Sequence, residues 1–394
     1  MRLNNGLHLA YSTNVHRGES WAEMFGALKN YTLAVRDRVC PHAPFGIGLR
    51  LSCRAANELS ERDRFLEFQR WLGQNHCYVF TMNGFPYGQF HGERVKEQVY
   101  RPDWATPERL DYTKLLFNLL SQLLPEGVEG SVSTLPGSFK EFHPSPEQLK
   151  MMRSNVWQCV EHVARVSEQT GRLLHLGLEP EPLCLLESSA ETMHLWDRLR
   201  AEHPRDERLD AHLGVNYDTC HFAVEFEEPQ DALASLVNHG IKISKIHLSS
   251  ALKVQPTPES REELKKFSDD IYLHQVVVRD ETGNRSIYRD LPDALSWPDP
   301  RPQNPDAVPA EWRIHFHVPL HAPLAPPFEN TNDHLLGVLN LLAEYPAICS
   351  HLEMETYTWE VLPPELKSQN VVEQLVGEYD WTLAELAERG LASR

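Results

Sequence analysis

Eight short apolar runs, separated by amphipathic stretches, constrain most strongly what this chain can fold into. The runs cover residues 7–15, 45–52, 78–85, 130–137, 173–180, 212–219, 243–250 and 348–357. Short apolar runs bounded by turn residues are typical of buried strands, and their alternation with helical patterns is typical of parallel sheets built from βα units. Eight such units predict an α/β fold, the (β/α)₈ TIM barrel, in which the sheet closes on itself.

The stretches between the runs carry apolar residues at three- and four-residue intervals, which is the spacing of one helix face. They include residues 20–39, 58–72, 112–124, 145–169 and 189–201, with a further amphipathic stretch at 371–391. A length of 394 residues fits one barrel with insertions. We therefore predict a single TIM-barrel domain that spans residues 1–394.

One long interval, between the seventh and eighth runs, breaks this alternation. Residues 251–311 hold a hairpin pattern around Thr282, Gly283 and Asn284, where Asn and Gly suit a tight turn. A proline-dense stretch follows, which excludes regular structure. Another strand-like run then covers residues 312–320. We interpret residues 251–311 as an insertion between strands seven and eight, not as a second domain.

Charge and composition exclude several classes of partner. The formal net charge is −18 at pH 7, and such a field repels nucleic acid backbones, so no nucleic acid partner is expected. No apolar run is long enough to predict a membrane span. Seven dispersed cysteines without a CxxC pair are typical of reduced thiols, and the N-terminus has no signal-peptide core. These features predict a cytoplasmic protein.

Four runs end in side chains that can bind a metal ion. The ends of runs five to eight carry Glu179 and Glu181, Asp218, His247, and Glu353 and Glu355. In a parallel barrel these ends meet at one rim, where active sites lie. Carboxylates with an imidazole suit Mn²⁺, Mg²⁺, Co²⁺ or Zn²⁺, and burying several ionisable groups together is costly without a cation. The pattern predicts a divalent metal site.

Each of these residues also has a structural alternative. Asp218 is placed to cap the helix that follows it, which is a common role of Asp after a strand. A lone histidine such as His247 is more often a hydrogen-bonded core residue than a ligand. Glu179 and Glu181 flank prolines and are compatible with a solvated loop. Their joint occurrence on four consecutive runs favours the metal interpretation.

A second group of histidines comes from the inserted run. His315 and His317 share one face of a predicted strand, and His221 follows the sixth run. Together they form the hypothesis of a second metal site, and the alternative is that they are surface or core histidines. His175 and His351 lie deeper in their strands, and we interpret both as structural.

The loops after the first four runs would form the substrate side of the rim. The candidate substrate-binding residues there are Asn14, Arg50, Asn83 and His91, with Lys96 further along the third loop. Asn and Arg side chains beside a glycine-containing loop suit hydroxyl groups and a phosphate. A long ordered loop that only caps the barrel is an equally good alternative. Nucleotide-binding glycine motifs, a P-loop, a hydrolase nucleophile elbow and HExxH are absent from the sequence.

The segments LEPEP, YDTCH, KIHLSS and LEMETYTW, in this order, resemble the metal-binding strands of the xylose-isomerase-like sugar phosphate isomerase/epimerase superfamily. This resemblance implies a TIM barrel in which Glu179, Asp218, His247 and a strand-eight glutamate hold one divalent cation. Glu355 is the preferred fourth ligand, because a Glu followed by a small residue and an aromatic residue matches the superfamily's ending. Glu353 is the reserve.

A more specific resemblance covers essentially the whole chain. The segments HLAYSTNVHRGESWAE, PFGIGLRLS, VFTMNGFPYGQFHGERVKEQVYRPDW and GSVSTLPGSFKEF resemble the EboE-like metabolite-traffic proteins of Ebo gene clusters. That resemblance implies a role in making or moving a small metabolite, with other Ebo-cluster proteins as candidate partners. Endonuclease-IV-like relatives carry an Asp-x-His pair where this chain has His315 and His317, and this replacement disfavours DNA cleavage without excluding a second cation.

These residues predict a metal-dependent isomerase or epimerase that acts on a sugar or cyclitol, with or without a phosphate. Glu179 and Glu355 would remove and return a proton beside a carbonyl group from opposite sides. Two alternatives stay open. One is a two-metal phosphoester hydrolase that uses His221, His315 and His317, and the other is a non-catalytic protein that binds and carries a metabolite.

Overall fold

Thirteen strands form two sheets in the computed structural model, which describes residues 1–88, 94–280, 282–296 and 310–393. In chain order the strands are β1 (His8–Ser12), β2 (Phe45–Arg50), β3 (Cys77–Asn83), β4 (Gly130–Thr134), β5 (Leu174–Leu178), β6 (Leu213–Asp218), β7 (Lys242–Leu248), β8 (Ala251–Val254), β9 (Val276–Arg279), β10 (Arg285–Tyr288), β11 (Glu311–His317), β12 (Phe328–Asn330) and β13 (His351–Met354). Eight of them close into a parallel barrel in the order β1-β13-β7-β6-β5-β4-β3-β2. The predicted TIM barrel is confirmed.

Helices alternate with the barrel strands along the chain. They are α1 (Trp21–Ala27), α2 (Leu33–Val39), α3 (Cys53–Leu59), α4 (Arg62–Gln74), α5 (Pro107–Leu123), α6 (Pro146–Thr170), α7 (Ser189–Glu202), α8 (Arg208–His212), α9 (Thr219–Val224), α10 (Pro229–Asn238), α11 (Pro258–Leu264), α12 (Leu291–Ser296), α13 (Asn332–Glu344) and α14 (Val371–Glu388). A π-helical turn, Leu28–Thr32, joins α1 to α2. Short 3₁₀ turns are Asn4–Gly6, Thr13–Val15, Lys96–Tyr100, Lys140–Phe142, Lys265–Phe267, Pro346–Ile348, Thr358–Glu360 and Pro364–Leu366. Within the described residues, no helix combines the length and apolar character that crossing a bilayer requires.

Capping residues mark where the helices begin. Before α6, the Ser145 hydroxyl accepts a hydrogen bond from the Gln148 amide (3.3 Å), and the Gln148 side chain accepts one from the Ser145 amide (2.8 Å). Pro146 takes the first helical position, where its missing N–H costs nothing. Ser20 and Glu23 form the same reciprocal pair at the start of α1. These local interactions stabilise helix starts that the sequence pattern predicts.

The interior of the barrel is polar at several levels. The Ser131 hydroxyl in β4 lies 2.8 Å from His351 Nδ1 in β13, and His175 Nδ1 in β5 lies 2.5 Å from the Ser244 hydroxyl in β7. Neither pair joins neighbouring strands, so these side chains meet inside the barrel. His175 and His351 lie near the amino ends of their strands, at the opposite end of the barrel from the rim.

The chain between β7 and β13 builds a second, antiparallel sheet in the order β10-β9-β11-β8-β12. β9 and β10 form the hairpin that the sequence predicts, with Gly283 at φ +85° in its turn. Phe267, Ile314 and Phe316 belong to a hydrophobic cluster of this sheet. Residues 297–309, which include most of the proline-dense stretch, lie outside the described residues. The single-domain interpretation stays a prediction.

Candidate metal centre and active site

Four strand ends bring the predicted metal ligands together at the carboxyl rim of the barrel. Glu179 directly follows β5, Asp218 ends β6, His247 lies in β7, and Glu355 directly follows β13. Their exposed fractions are 7%, 0%, 0% and 5%, respectively, so all four are buried. The ionisable groups that the sequence places on separate runs therefore lie close together and are buried from solvent.

His247 lies between two pairs of carboxylates. Its Nδ1 atom is 2.9 Å from Glu179 Oε1 and 3.4 Å from Asp218 Oδ2. Its Nε2 atom is 3.3 Å from Glu353 Oε2 and 3.8 Å from Glu355 Oε2. Burial lowers the pKa of His247, but the surrounding carboxylates outweigh burial and hold this pKa well above its usual value. The cluster thus favours a positive charge at its centre, which either a proton or a cation supplies.

The candidate ligand atoms fall into two groups that share His247. Glu179, Asp218 and His247 form the first group, and His247, Glu353 and Glu355 form the second, with the ligand atoms of each group within 4.8 Å of one another. Three of the four predicted ligands belong to the first group. Glu355 approaches the imidazole from its Nε2 side, so it lies across the His247 ring from Glu179 and Asp218, which approach Nδ1.

Asp218 combines both roles that its position allows. Oδ1 accepts hydrogen bonds from the amides of Cys220 (2.7 Å) and His221 (3.2 Å) at the start of α9, and from the Ser249 hydroxyl (2.5 Å). Oδ2 is buried and has no hydrogen-bond donor among the described residues. The helix cap therefore holds the carboxylate in place while its second oxygen faces His247. An unpaired buried carboxylate oxygen is costly, and a cation would offset that cost.

The two glutamates at the end of β13 differ in their partners. Glu353 Oε2 accepts a hydrogen bond from Lys245 Nζ at 2.6 Å, and although burial opposes its ionisation, Lys245 lowers the pKa of Glu353 to about 2. Glu355 accepts hydrogen bonds from Asn14 Nδ2 (2.8 Å) and the Ser12 hydroxyl (3.1 Å). Burial raises the pKa of Glu355 to about 7. Glu353 is thus neutralised from inside the barrel, whereas Glu355 faces the rim.

A cavity opens at this rim with two unlike sides. Its polar side carries the carboxyl groups of Glu179, Glu181 and Glu355. It also carries three imidazoles, those of His315 and His317 in β11 and of His221 in α9. Its other side is built mainly from aromatic and aliphatic side chains. Metal-binding groups and an apolar surface therefore face the same small space, which is a common arrangement in sites for small organic ligands.

The predicted substrate-binding residues are distributed unevenly around this cavity. Asn14 and Asn83 both line it. The Arg50 side chain donates hydrogen bonds to the carbonyl of Gly18 (3.0 Å) and to Glu19 Oε1 (3.2 Å), and it is not among the lining residues. His91 lies outside the described residues. The structure thus brings two of the four candidates to the cavity.

His221, His315 and His317 form a second cluster beside the first. The ring centroids of His221 and His315 are 4.6 Å apart, and those of His315 and His317 are 5.4 Å apart. Each ring has an oxygen acceptor at Nδ1. The acceptors are the Pro180 carbonyl for His221 (3.0 Å), Gln275 Oε1 for His315 (2.8 Å) and the Glu355 carbonyl for His317 (2.7 Å).

These acceptors select one tautomer of each ring. A proton on Nδ1 satisfies each acceptor and leaves the Nε2 lone pair available, which is the usual arrangement of metal-binding histidines. The Nε2 atoms of His315 and His317 are buried and have no hydrogen-bond partner among the described residues. Burial lowers the pKa of His317 to about 4 and that of His315 well below its usual value, so both rings are neutral at pH 7.

Solved structures share this architecture over nearly the whole chain. A xylose isomerase-like TIM barrel protein from Mycobacterium smegmatis, in complex with magnesium, covers 99% of this chain and 99% of its own, with a TM-score of 0.51 and 12% identity. The IolI protein with a bound zinc atom covers 97% of this chain and 98% of its own, with a TM-score of 0.51 and 13% identity. This chain has the xylose isomerase-like TIM-barrel fold. A D-tagatose 3-epimerase-like protein covers 97% of both chains, with a TM-score of 0.50 and 12% identity.

No family model matches the chain, and no curated protein matches its sequence. The resemblance to the superfamily is therefore confirmed at the level of the fold. Two of these solved structures contain a divalent metal ion, magnesium in one and zinc in the other. The rim of this barrel carries groups of His, Asp and Glu residues whose ligand atoms lie close enough together to hold a metal ion.

One part of this candidate site carries no clear signal in the sequence. The Tyr100 hydroxyl donates a hydrogen bond to Glu181 Oε1 (2.7 Å), and Gln275 Nε2 donates one to the Tyr100 hydroxyl (3.0 Å). Glu181 is 6% exposed, so it is not a solvated loop charge, and burial raises its pKa to about 7. Its place two residues after Glu179 is the one available signal, since Tyr100 ends a short 3₁₀ turn and Gln275 lies outside regular structure.

Proposed function

We propose that this protein is a divalent-metal-dependent isomerase or epimerase of a sugar or cyclitol. The observation that supports this most is a pair of buried groups beside a cavity at the carboxyl rim of the barrel. Both groups contain His247, with Glu179 and Asp218 in one and Glu353 and Glu355 in the other. The similarity in fold to an epimerase-like protein agrees with this chemistry. The sequence resemblance to EboE-like proteins extends the proposal to the synthesis or traffic of a small metabolite.

Glu179, Asp218, His247 and Glu355 are the proposed metal ligands, with Glu353 in reserve. Carboxylate oxygens with one imidazole suit Mn²⁺, Mg²⁺, Co²⁺ or Zn²⁺. Asp218 Oδ2 accepts no hydrogen bond from the described residues, and the carboxylates around His247 attract positive charge. Both features fit a bound cation. When bound, such an ion supplies Lewis-acid polarisation of a carbonyl and an adjacent hydroxyl group of the substrate.

The chain's own groups provide the proton transfers. Burial opposes ionisation of Glu179, but His247 outweighs it and lowers the pKa of Glu179 below its usual value, so Glu179 is a base. Burial raises the pKa of Glu355 to about 7, which favours proton uptake at this carboxyl group when it is not bound to the cation. Glu179 would remove the proton beside the carbonyl group, and Glu355 would return one. Asn14 and Ser12 hold the Glu355 carboxyl group in place.

Solvent deuterium exchange tests this assignment. Purified protein supplied with each candidate metal is incubated in D₂O with a panel of ketoses and cyclitol ketones, and deuterium on carbon is followed by NMR. We expect Glu179→Gln and Glu355→Gln each to lower the exchange rate by about 10²-fold or more. Glu67→Gln, at an exposed position of α4, is the matched control. Near-normal exchange in both site variants would remove the acid and base roles.

A second candidate function is favoured by the unpartnered Nε2 atoms of His315 and His317. With His221 they are proposed as ligands of a second cation, and a pair of cations would support hydrolysis of a phosphoester. Elemental analysis separates the two functions. One ion per chain supports the isomerase, whereas two or three ions, reduced by one in a His315→Ala/His317→Ala variant, support the hydrolase.

A further inference from the structure

One lysine side chain faces the cavity, and all of its donors are in use. Lys96 Nζ donates hydrogen bonds to Asp290 Oδ2 (2.7 Å) and to the carbonyls of Asp269 (2.8 Å) and Tyr272 (2.6 Å). An ammonium group has three N–H donors, so these acceptors saturate it. Among the described lining residues Lys96 is the only Lys or Arg. It fastens the loop after β3 to the inserted segment and has no donor left for a phosphate.

Two further cations near the rim are also committed to other partners. Lys245 is paired with Glu353 inside the barrel, where the two side chains are 1% and 0% exposed. Arg50 is 1% exposed, and it is paired with Glu19 and bonded to loop carbonyls. Recruiting Lys245 to a ligand would break a buried ion pair, which is strongly unfavourable. Recruiting Arg50 would break a partly buried pair, since the Glu19 side chain is 24% exposed.

The charge around the cavity is negative. Glu179, Glu181 and Glu355 line it, and Asp218 lies directly beneath. His221 lies among these groups, and the carboxylates raise its pKa although burial opposes this. A phosphate dianion in this space would lie close to the carboxyl groups and would meet no Lys or Arg donor among the described lining residues, so its binding is disfavoured.

The opposite side of the cavity is rich in carbon. Phe85, Val99, Tyr100, Leu273 and Tyr357 line it. The rings of Tyr100 and Phe85 stack with centroids 5.7 Å apart, so this surface is held rigid by its own packing. A rigid apolar surface facing a polar one suits a ligand that has hydroxyl groups at one end and an apolar group at the other.

We propose that the ligand of this site is an uncharged polyol ketone bearing an apolar substituent, and not a phosphate ester. The proposal rests on the function proposed above for the end of the ligand that carries the carbonyl and hydroxyl groups. The properties of the other end of the ligand follow from Lys96, whose three donors are all in use, and from the apolar side of the cavity.

Three ligands that differ only at one end test this selection. D-Fructose, D-fructose 6-phosphate and 6-O-benzyl-D-fructose are titrated into protein of measured metal content, and affinities are obtained by calorimetry. We expect the benzyl ether to bind about tenfold or more tightly than fructose, because it buries an additional apolar ring, and the phosphate to bind more weakly than fructose. Leu273→Ser should reduce the ratio of the affinity for the benzyl ether to the affinity for fructose.

A second variant tests the role of Lys96 directly. Asp290→Asn removes the negative charge from Lys96 and keeps an oxygen for the amides of His274 and Leu291, which Asp290 Oδ1 now accepts at 3.0 Å. We expect the affinity for fructose 6-phosphate to rise by about tenfold, because the Lys96 ammonium group loses its charged partner and can bind the phosphate. The affinity for fructose should not change. The matched control is Asp333→Asn, because Asp333 is an exposed residue that forms an ion pair with another lysine, Lys253.

The outcomes separate the two proposals. Tightest binding of the phosphate, equal binding of all three ligands, or no binding of the benzyl ether by metal-loaded protein overturns the ligand class. If the chain binds no metal but still prefers the benzyl ether to the phosphate, the ligand class stands and the metal-dependent function fails. Preference for the phosphate together with two ions per chain supports the hydrolase.

Discussion

At the scale of single residues, the ion pair of Lys245 and Glu353 is the feature on which the site depends most. The pair lies inside the barrel below His247, and Lys245 also donates a hydrogen bond to the Ser133 hydroxyl at 3.0 Å. A Cβ atom on Gly48 would lie 2.0 Å from Glu353 Oε1, so a glycine is needed on β2 to admit the carboxylate. Burial of one member without the other leaves an uncompensated charge.

This pair predicts that the two glutamates at the end of β13 differ in their effect on stability. Glu353→Gln leaves the Lys245 ammonium buried without its counter-charge and is expected to lower the free energy of unfolding by about 3 kcal/mol or more. Glu355→Gln removes a carboxyl group that carries a proton near neutral pH, and it should change stability by less than about 1 kcal/mol. Urea unfolding of both variants measures the difference. Equal losses would contradict the separate roles.

The sequence predicted the cluster because strand ends converge in any closed parallel barrel. It could not separate Glu353 from Glu355 on the residues alone, because both occur at the same strand end. The difference arises from Lys245 and Gly48, which come from two other strands and meet Glu353 only in the closed barrel. Contacts between distant strands of this kind leave no local pattern.

At the scale of elements, α9 positions the site through its first turn. The capping oxygen of Asp218 is held by two backbone amides and the Ser249 hydroxyl, and this leaves the other oxygen beside His247. Because Asn caps helices as well as Asp does, cap and charge can be tested separately.

Two substitutions separate these roles of Asp218. Asp218→Asn keeps the cap and should retain stability, whereas Asp218→Ala removes it and is expected to cost about 1 kcal/mol. Both variants should lose metal affinity, since each removes the charged oxygen. Thermal unfolding without added metal and metal titration provide the two readouts. If Asp218→Asn is as unstable as Asp218→Ala, the charge rather than the cap stabilises this turn.

Long elements were predictable, and short ones were not. Periodic stretches matched helices such as α4, α6 and α7, although α5 begins at Pro107, five residues before the predicted start at 112. The sequence predicted the hairpin and the strand-like run at 312–320, which corresponds to β11, and the structure adds β8 and β12 to this sheet. β8 and β12 have four and three residues, respectively. Segments this short show no periodicity, and their pairing depends on partners distant in the chain.

At the scale of the whole molecule, the barrel carries polar side chains from its rim to its opposite end. Branched aliphatic residues usually dominate such interiors. Here His175 and His351 lie below the Lys245–Glu353 pair, bonded to Ser244 and Ser131. Burial lowers the pKa of His175 to about 4 and that of His351 well below its usual value. The interior therefore holds neutral imidazoles at pH 7.

These imidazoles make the stability of the fold sensitive to acid. The unfolded chain binds a proton at His175 near pH 6.5, whereas the folded chain binds it only near pH 4, so stability is lost as the pH falls through this window. Between pH 6.5 and pH 5 the free energy of unfolding should fall by about 2 kcal/mol less in His175→Asn than in the unmodified protein. Urea unfolding at both pH values measures it, with the exposed His194→Asn as control. An unchanged pH dependence in His175→Asn would contradict the assignment.

Strand β11 starts in the inserted sheet and ends at the barrel rim, where the His317 ring is bonded to the Glu355 carbonyl and the Thr358 hydroxyl is bonded to the His317 carbonyl. The carboxylate cluster comes from the barrel, and two of the three neighbouring imidazoles arrive with the inserted chain. Replacement of the chain between β7 and β13 would change four residues that line the cavity, Tyr272, Leu273, His315 and His317, without altering the eight strands of the barrel. We therefore expect sequence differences among barrels of this kind to concentrate in the chain between β7 and β13.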